Sequence, residues 1–177
     1  IATQIQNVSQ YVEVKRAAEA AIQDYASQLD ERKVKVVVDT ADDVEGGAVY
    51  LTLTGTSAEM GDDGAVGRGN RVNGVIAPFR ATSLEAPCGK NPISHVGKVY
   101  NLLALLTARD IVDQVPTVEE ATVYLLSQIG APLDQPLVAT AQVRPVDGAL
   151  TPTIQEDVQA VIDERLANVS DVRVWIL

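Results

Sequence analysis

The sequence predicts an α+β fold in which helices cover one face of mixed or antiparallel sheets. Three observations carry this. Short β-branched segments alternate apolar and polar residues, and some come in adjacent pairs joined by turn residues. Longer segments between them repeat apolar residues at spacings of three and four. In chain order the elements run β-α-β-β-α-β-β-α-β. They divide into residues 1–115, an active-site portion holding a glycine-rich loop at 55–91, and residues 116–177, a strand-strand-helix-strand segment completing the layers.

Ile1 to Val8 alternates and predicts a strand. Tyr11 to Glu31 places Val14, Ala18, Ala21, Ile22, Tyr25 and Leu29 on one side of an amphipathic helix, with a charged, solvated opposite face. KVKVVVDT at Lys33–Thr40 and AVYLTLTGT at Ala48–Thr56 predict a hairpin. Asp39, Asp42 and Asp43 read as turn chemistry between its strands. Val75-Ile76 is strand-like. Asn91-Pro92 predicts a helix start, with Asn as N-cap and Pro at the first helical position. Val96, Val99, Tyr100, Leu102, Leu103, Leu105 and Leu106 make that helix the most buried one. Strands are expected at Ala121–Gln128 and Leu137–Arg144, around a loop at 130–135. Thr151 caps a helix with Pro152 first and Ile154, Val158, Val161, Ile162 and Leu166 on one face. Val172 to Leu177 predicts a closing strand.

At 177 residues the chain can bury a core, and with 4% aromatic residues that core must be Val, Leu, Ile and Ala. No apolar run approaches the ~20 residues needed to cross a bilayer. No signal peptide is expected, and the start at Ile1 suits a processed product or a piece of something longer. One cysteine, Cys88, fits a reducing cytoplasm, and one His beside it excludes a closed zinc site. A net charge of −10 argues against nucleic-acid binding and would suit a salt-rich cytoplasm.

Chemistry concentrates in residues 55–101, which hold eight of the twelve glycines and the only histidine. Gly61-Asp62-Asp63-Gly64 places two carboxylates on a tight turn that can hold Mg²⁺, accept hydrogen bonds from an amine, or be a plain surface turn. Gly64 to Arg71 adds glycines whose N–H groups can converge on an anion, with Arg68 and Arg71 for phosphate or carboxylate. It is neither a Walker loop nor a dinucleotide fingerprint. If Asn91 caps the helix, Lys90 lies beside unpaired N–H groups and the positive dipole end, with His95 and Lys98 behind it. Otherwise His95 is a satisfied histidine and Lys98 a solvated one. Together these residues suit a polyphosphate with its metal.

GTSAEMGDDGAVGRGNRVNG followed by EAPCGKNPISHVGKVYN resembles the archaeal-type S-adenosylmethionine synthetase (methionine adenosyltransferase) family. The likeness extends through KVVVDTADD, VYLTLTGTSAE and LLSQIGAPLDQPLVA, and so over nearly the whole chain. The resemblance implies a cytoplasmic enzyme that condenses ATP with L-methionine and hydrolyses the released tripolyphosphate to pyrophosphate and phosphate, using Mg²⁺ and K⁺. It also implies α+β domains about a pseudo-threefold axis, and a homodimer whose active sites are shared between subunits.

In the distant bacterial and eukaryotic branch the loop reads Gly-Asp-Ala/Cys-Gly, then Gly-Arg-Lys, then Gly-Lys-Asp-Pro. By that match Asp62, flanked by Gly61 and Gly64, contacts the adenosine or methionine part of the ligands. Arg68 reaches the phosphates and Lys90 lies on the polyphosphate chain. Arg71 substitutes for the lysine that follows the arginine there, and Asn91 replaces an aspartate. His95 or Lys98 takes over the charge of a second lysine. Asp63 binds metal or shapes the turn. The chain covers less than half of the family's usual length, from the middle towards the carboxy terminus, so the isolated piece is expected to be inactive. The alternative is a non-catalytic regulatory or interaction module that keeps the fold.

Overall fold

A computed structural model describes residues 2–52, 71–91, 93 and 95–175, excepting the side chains of 2 and 173–175. The chain divides into two units, Ile1–Asp62 and Asp63–Leu177.

The first unit is built on helix α1, Val8–Leu29. The strand expected over residues 1–8 is not formed: Ala2–Gln4 is a 3-10 turn and the helix starts early. The cause is local. Asn7 accepts a hydrogen bond from the Gln10 amide at 3.0 Å, and the Gln10 side chain accepts from the Gln6 amide at 2.9 Å, a close relative of the capping box.

The hairpin expected over 33–56 is also corrected. Over its described part the arms form one backbone bridge, between Asp43 and Ala48, and no ladder. Residues 34–42 instead lie antiparallel to α1 along the stripe Tyr11, Lys15, Glu19 and Gln23, spaced one every four residues. Gln23 bonds the Val34 carbonyl and the Val36 amide, and Glu19 accepts from the Val38 amide. Lys15 donates to the Asp39 carbonyl at 2.8 Å. The polar face expected to be solvated is thus the face that packs. Val14, Ile22, Tyr25 and Leu29, expected to be inside, are exposed.

The second unit is a helix-sheet layer. Helix α2 spans Val96–Gln114, strands β1 (Val118–Leu126) and β2 (Val138–Pro145) pair antiparallel, and helix α3 covers Pro152–Ala167. Val123 faces Ala141 in the ladder, so one face of the sheet carries Ala121, Val123, Leu125, Ala139, Ala141 and Val143. That face closes on Ile111 and Val115 from α2 and on Ile154, Val158, Val161 and Ile162 from α3. A second cluster joins Val99, Tyr100, Leu103 and Leu106 of α2 to Val172. Helix α2 therefore serves both clusters, as its apolar composition required, and Arg165 pairs with Asp110 between α3 and α2. Thr151 caps α3 with Pro152 in the first turn, as expected.

The carboxy-terminal strand expected over Val172 to Leu177 is not formed in its described part. Val169–Trp175 is a 3-10 helix that turns off the α3 cap at Asn168 and buries Val172. Val75-Ile76 is not a strand either; only Arg71 and Gly74 bridge there. Among the described residues the α+β class stands, with one two-stranded sheet in place of the nine-element order.

Candidate anion-binding site

Helix α2 begins later than the Asn91-Pro92 signal predicts. Its N-cap is His95, whose Nδ1 accepts a hydrogen bond from the Gly97 amide at 3.1 Å. Asn91 closes a turn of its own, accepting from the Ile93 amide at 2.8 Å. The expectation that Asn91 caps the helix, with Lys90 against its first free N–H groups, is therefore corrected. Only the lone pair on Nδ1 can accept this bond, which leaves Nε2 as the remaining polar position of the ring.

Lys90 is brought to the helix start by its own loop. Gly89 adopts φ +80°, and the Lys90 amide bonds back to the Pro87 carbonyl across the turn. Ala86 is buried and its carbonyl accepts from Lys90 Nζ at 2.7 Å. The second partner of Nζ is Glu85 Oε2, also at 2.7 Å. The pair is lopsided: the Lys90 side chain is 10% exposed and that of Glu85 54%. Lys98, one turn into α2, donates from Nζ to the Lys90 carbonyl at 3.2 Å. A Cβ on Gly97 would lie 3.1 Å from the His95 ring and 3.5 Å from Lys90 Cε, so the absent side chain lets both approach the helix.

Arg71 reaches the same place from the other side. Its Nε donates to the Ser83 carbonyl at 2.7 Å and its terminal nitrogen to the Leu84 carbonyl at 3.2 Å. The Lys90 hydrogen bond holds the Glu85 carboxyl below the usual carboxylate range against partial desolvation, with the charges of Lys90, His95 and Arg71 adding to it. Arg71 also borders a cavity of about 560 Å³, lined further by Asn73, Arg80, Asn101, Glu120 and Gln142, a size that suits a small-molecule ligand.

Of the residues singled out in the sequence, Lys90, His95, Lys98 and Arg71 thus converge, with Asn91 in the connecting turn. Gly61, Asp62, Asp63, Gly64 and Arg68 lie outside the described residues. Glu85 was not singled out. In EAPCGK this acid stands five residues before the loop lysine, a spacing that gains meaning only once the burial of Lys90 is seen.

A cation cluster on a Gly-Pro loop at a helix start gains its meaning from comparison with known proteins. The S-adenosylmethionine synthetase (AdoMet synthetase) family model matches residues 1–177. The chain belongs to this family. It is similar to the S-adenosylmethionine synthases of Pyrococcus furiosus, 51% identical over 175 residues, and Thermococcus onnurineus, 53% identical over 175 residues. Each match covers 99% of this chain and 43% of the relative. The enzyme of Methanosarcina barkeri is 47% identical over 173 residues, or 98% of this chain and 44% of the relative. The chain thus spans less than half the length of the synthetases it matches.

Among the described residues, no group of three or more His, Cys, Asp and Glu could hold a metal ion. No helix of the described residues is long and apolar enough to cross a membrane.

Proposed function

We propose that this chain is the carboxy-terminal portion of a methionine adenosyltransferase, and that the Lys90 cluster is its polyphosphate-binding half-site. The observation that carries this is the placing of Lys90: a mostly buried ammonium, fixed by a backbone carbonyl, with Lys98 against its own carbonyl and Arg71 and His95 beside its counter-ion. The printed names of the relatives supply the reaction class.

In the proposed reaction the methionine sulfur attacks the ribose 5′ carbon of ATP, and the electrons of the C5′–O bond leave with the tripolyphosphate. Fixed cations near the departing oxygens stabilise charge that grows in the transition state without reorganising at that moment. Lys90 and Arg68 are assigned to the polyphosphate, and Lys98 supplies the second ammonium beside Lys90. Arg71 and Asn91 border the same ligand. His95 holds the first amides of α2 and offers Nε2 outward. Asp62, with Gly61 and Gly64, is assigned to the adenosine or methionine portion, and Asp63 to a metal. Mg²⁺ on the polyphosphate would neutralise part of its charge, and K⁺ belongs to the same family expectation. Subsequent hydrolysis of tripolyphosphate to pyrophosphate and phosphate, and a homodimer with shared sites in the cytoplasm, complete the reading. Tyr124, Leu126, Leu137 and Val138, exposed at one end of the sheet, offer a contact surface for such a dimer.

The test is an assay of the intact protein for S-adenosylmethionine and phosphate from ATP and methionine, with and without Lys90→Ala. Loss of product in the variant is expected. A well-folded wild-type protein that forms no product would instead support the interaction module.

A further inference from the structure

We infer that Glu85 is the resident counter-anion of the anion site: it occupies the ligand-facing side of Lys90 in the empty protein and is displaced when a polyphosphate binds. The geometry separates the two partners of Lys90 by mobility and access. The Ala86 carbonyl is backbone in a buried turn and fixes the ammonium from behind. The Glu85 carboxylate is on a side chain with several rotatable bonds that is more than half exposed, while the Lys90 side chain it meets is mostly buried. An ammonium has three donors; the Ala86 carbonyl takes one, and the donor now given to Glu85 is the one an exchangeable anion could take over. The charge of Arg71 also acts on this carboxylate, so it experiences part of the field an incoming phosphate oxygen would meet. A mostly buried ammonium with no counter-charge is costly, so an anion on a swinging side chain keeps the cluster charged and assembled between turnovers.

Two roles for Glu85 follow from one contact, and they have opposite signs. A support that merely aims Lys90 would weaken polyphosphate binding when removed. A resident anion competes with the ligand for Lys90 and repels it, so its removal strengthens binding. The second role predicts that Glu85→Gln, close in shape and neutral, tightens binding by about two- to fivefold, the range set by a half-exposed ion pair.

The inference rests on the polyphosphate-site reading above, and the experiment separates the two. Inorganic tripolyphosphate is titrated calorimetrically into the intact protein at fixed Mg²⁺, as wild type, Glu85→Gln, Glu85→Ala, Lys90→Ala and Lys90→Ala/Glu85→Gln. The expected result is tighter binding by both Glu85 variants, with the gain abolished in the Lys90→Ala background. Equal or weaker binding by Glu85→Gln, where Lys90→Ala still abolishes binding, overturns the counter-anion role and leaves the phosphate site standing. Wild-type affinity in Lys90→Ala overturns the phosphate site itself, and the counter-anion role with it.

Discussion

Asp42 carries the strongest single prediction about the first unit. Its side chain is 3% exposed and accepts on both oxygens: Oδ1 from the Tyr50 amide at 3.0 Å, and Oδ2 from Lys15 Nζ at 2.7 Å and the Tyr11 hydroxyl at 2.8 Å. Asp42→Asn keeps the shape but turns one acceptor into an amide donor. Whichever way the amide is placed, it faces either the Tyr50 N–H or Lys15 and Tyr11. Losing a hydrogen bond to a charged group costs about 1.5–3 kcal/mol, and stranding a buried ion costs about 3–5 kcal/mol. Lys15 is 19% exposed and keeps the Asp39 carbonyl, so the lower part of that range applies, about 2–3 kcal/mol. Burial pushes the Asp42 carboxyl up, but hydrogen bonds from Lys15, Tyr50 and Tyr11 and the Lys15 charge together hold it below its usual value. A carboxyl depressed in the folded state stabilises above its unfolded pKa, near 3.9, and loses that contribution as pH falls through the folded value. The wild-type advantage should therefore be full at pH 7 and shrink below about pH 4. Native-state hydrogen exchange of the Val38 and Tyr50 amides reads the local opening free energy directly. A variant within about 0.5 kcal/mol of wild type at pH 7, or a gap that persists undiminished at pH 3, would refute this account of Asp42.

Two further outcomes concern the second unit. Gly97→Ala gains helix propensity of up to about 1 kcal/mol but drives a methyl against the His95 ring and Lys90. Stability should change by less than about 1 kcal/mol in a melt while tripolyphosphate binding weakens, a split that pure helix stabilisation would not produce. Thr151→Ala removes the side chain that accepts from the Ile154 amide and should cost about 1 kcal/mol, seen as faster exchange in the first turn of α3.

The parts of the fold legible in the sequence were those whose signals are local and whose partner lies nearby. Thr151-Pro152 announced α3, and the strands expected at Ala121–Gln128 and Leu137–Arg144 fall within about three residues and one residue of the observed Val118–Leu126 and Val138–Pro145. Alternation failed wherever no pairing strand stands among the described residues. Val172 to Leu177 reads as a strand, yet Val172 is buried just as well by a 3-10 turn against Val99 and Leu103. Lys33 to Thr40 reads as a strand, but the backbone groups of Val34, Val36 and Val38 are satisfied by polar side chains of α1, which hydrophobic periodicity cannot see. Asn7-Val-Ser-Gln10 was a readable helix start passed over in favour of alternation. In the candidate site Lys90, His95, Lys98 and Arg71 were legible because glycines and cations concentrate there. Glu85 was not, because a single acid before a Pro-Gly turn means nothing until its partner's burial is known.

A chain with net charge −10 is an unlikely trap for a polyanion if charge is counted globally. Locally the balance reverses. Salt screens exposed charges beyond about 10 Å at 0.1 M, so most of the acidic surface does not act at the Lys90 loop. At that loop Lys98 lies on the Lys90 carbonyl, Glu85 pairs with Lys90, and the Arg71 charge acts on the Glu85 carboxylate. The burial of the Lys90 side chain weakens screening where the ligand would meet it. The same burial makes a bare ammonium unfavourable, and Glu85 supplies its counter-charge. The acidic surface and the cationic loop are therefore compatible.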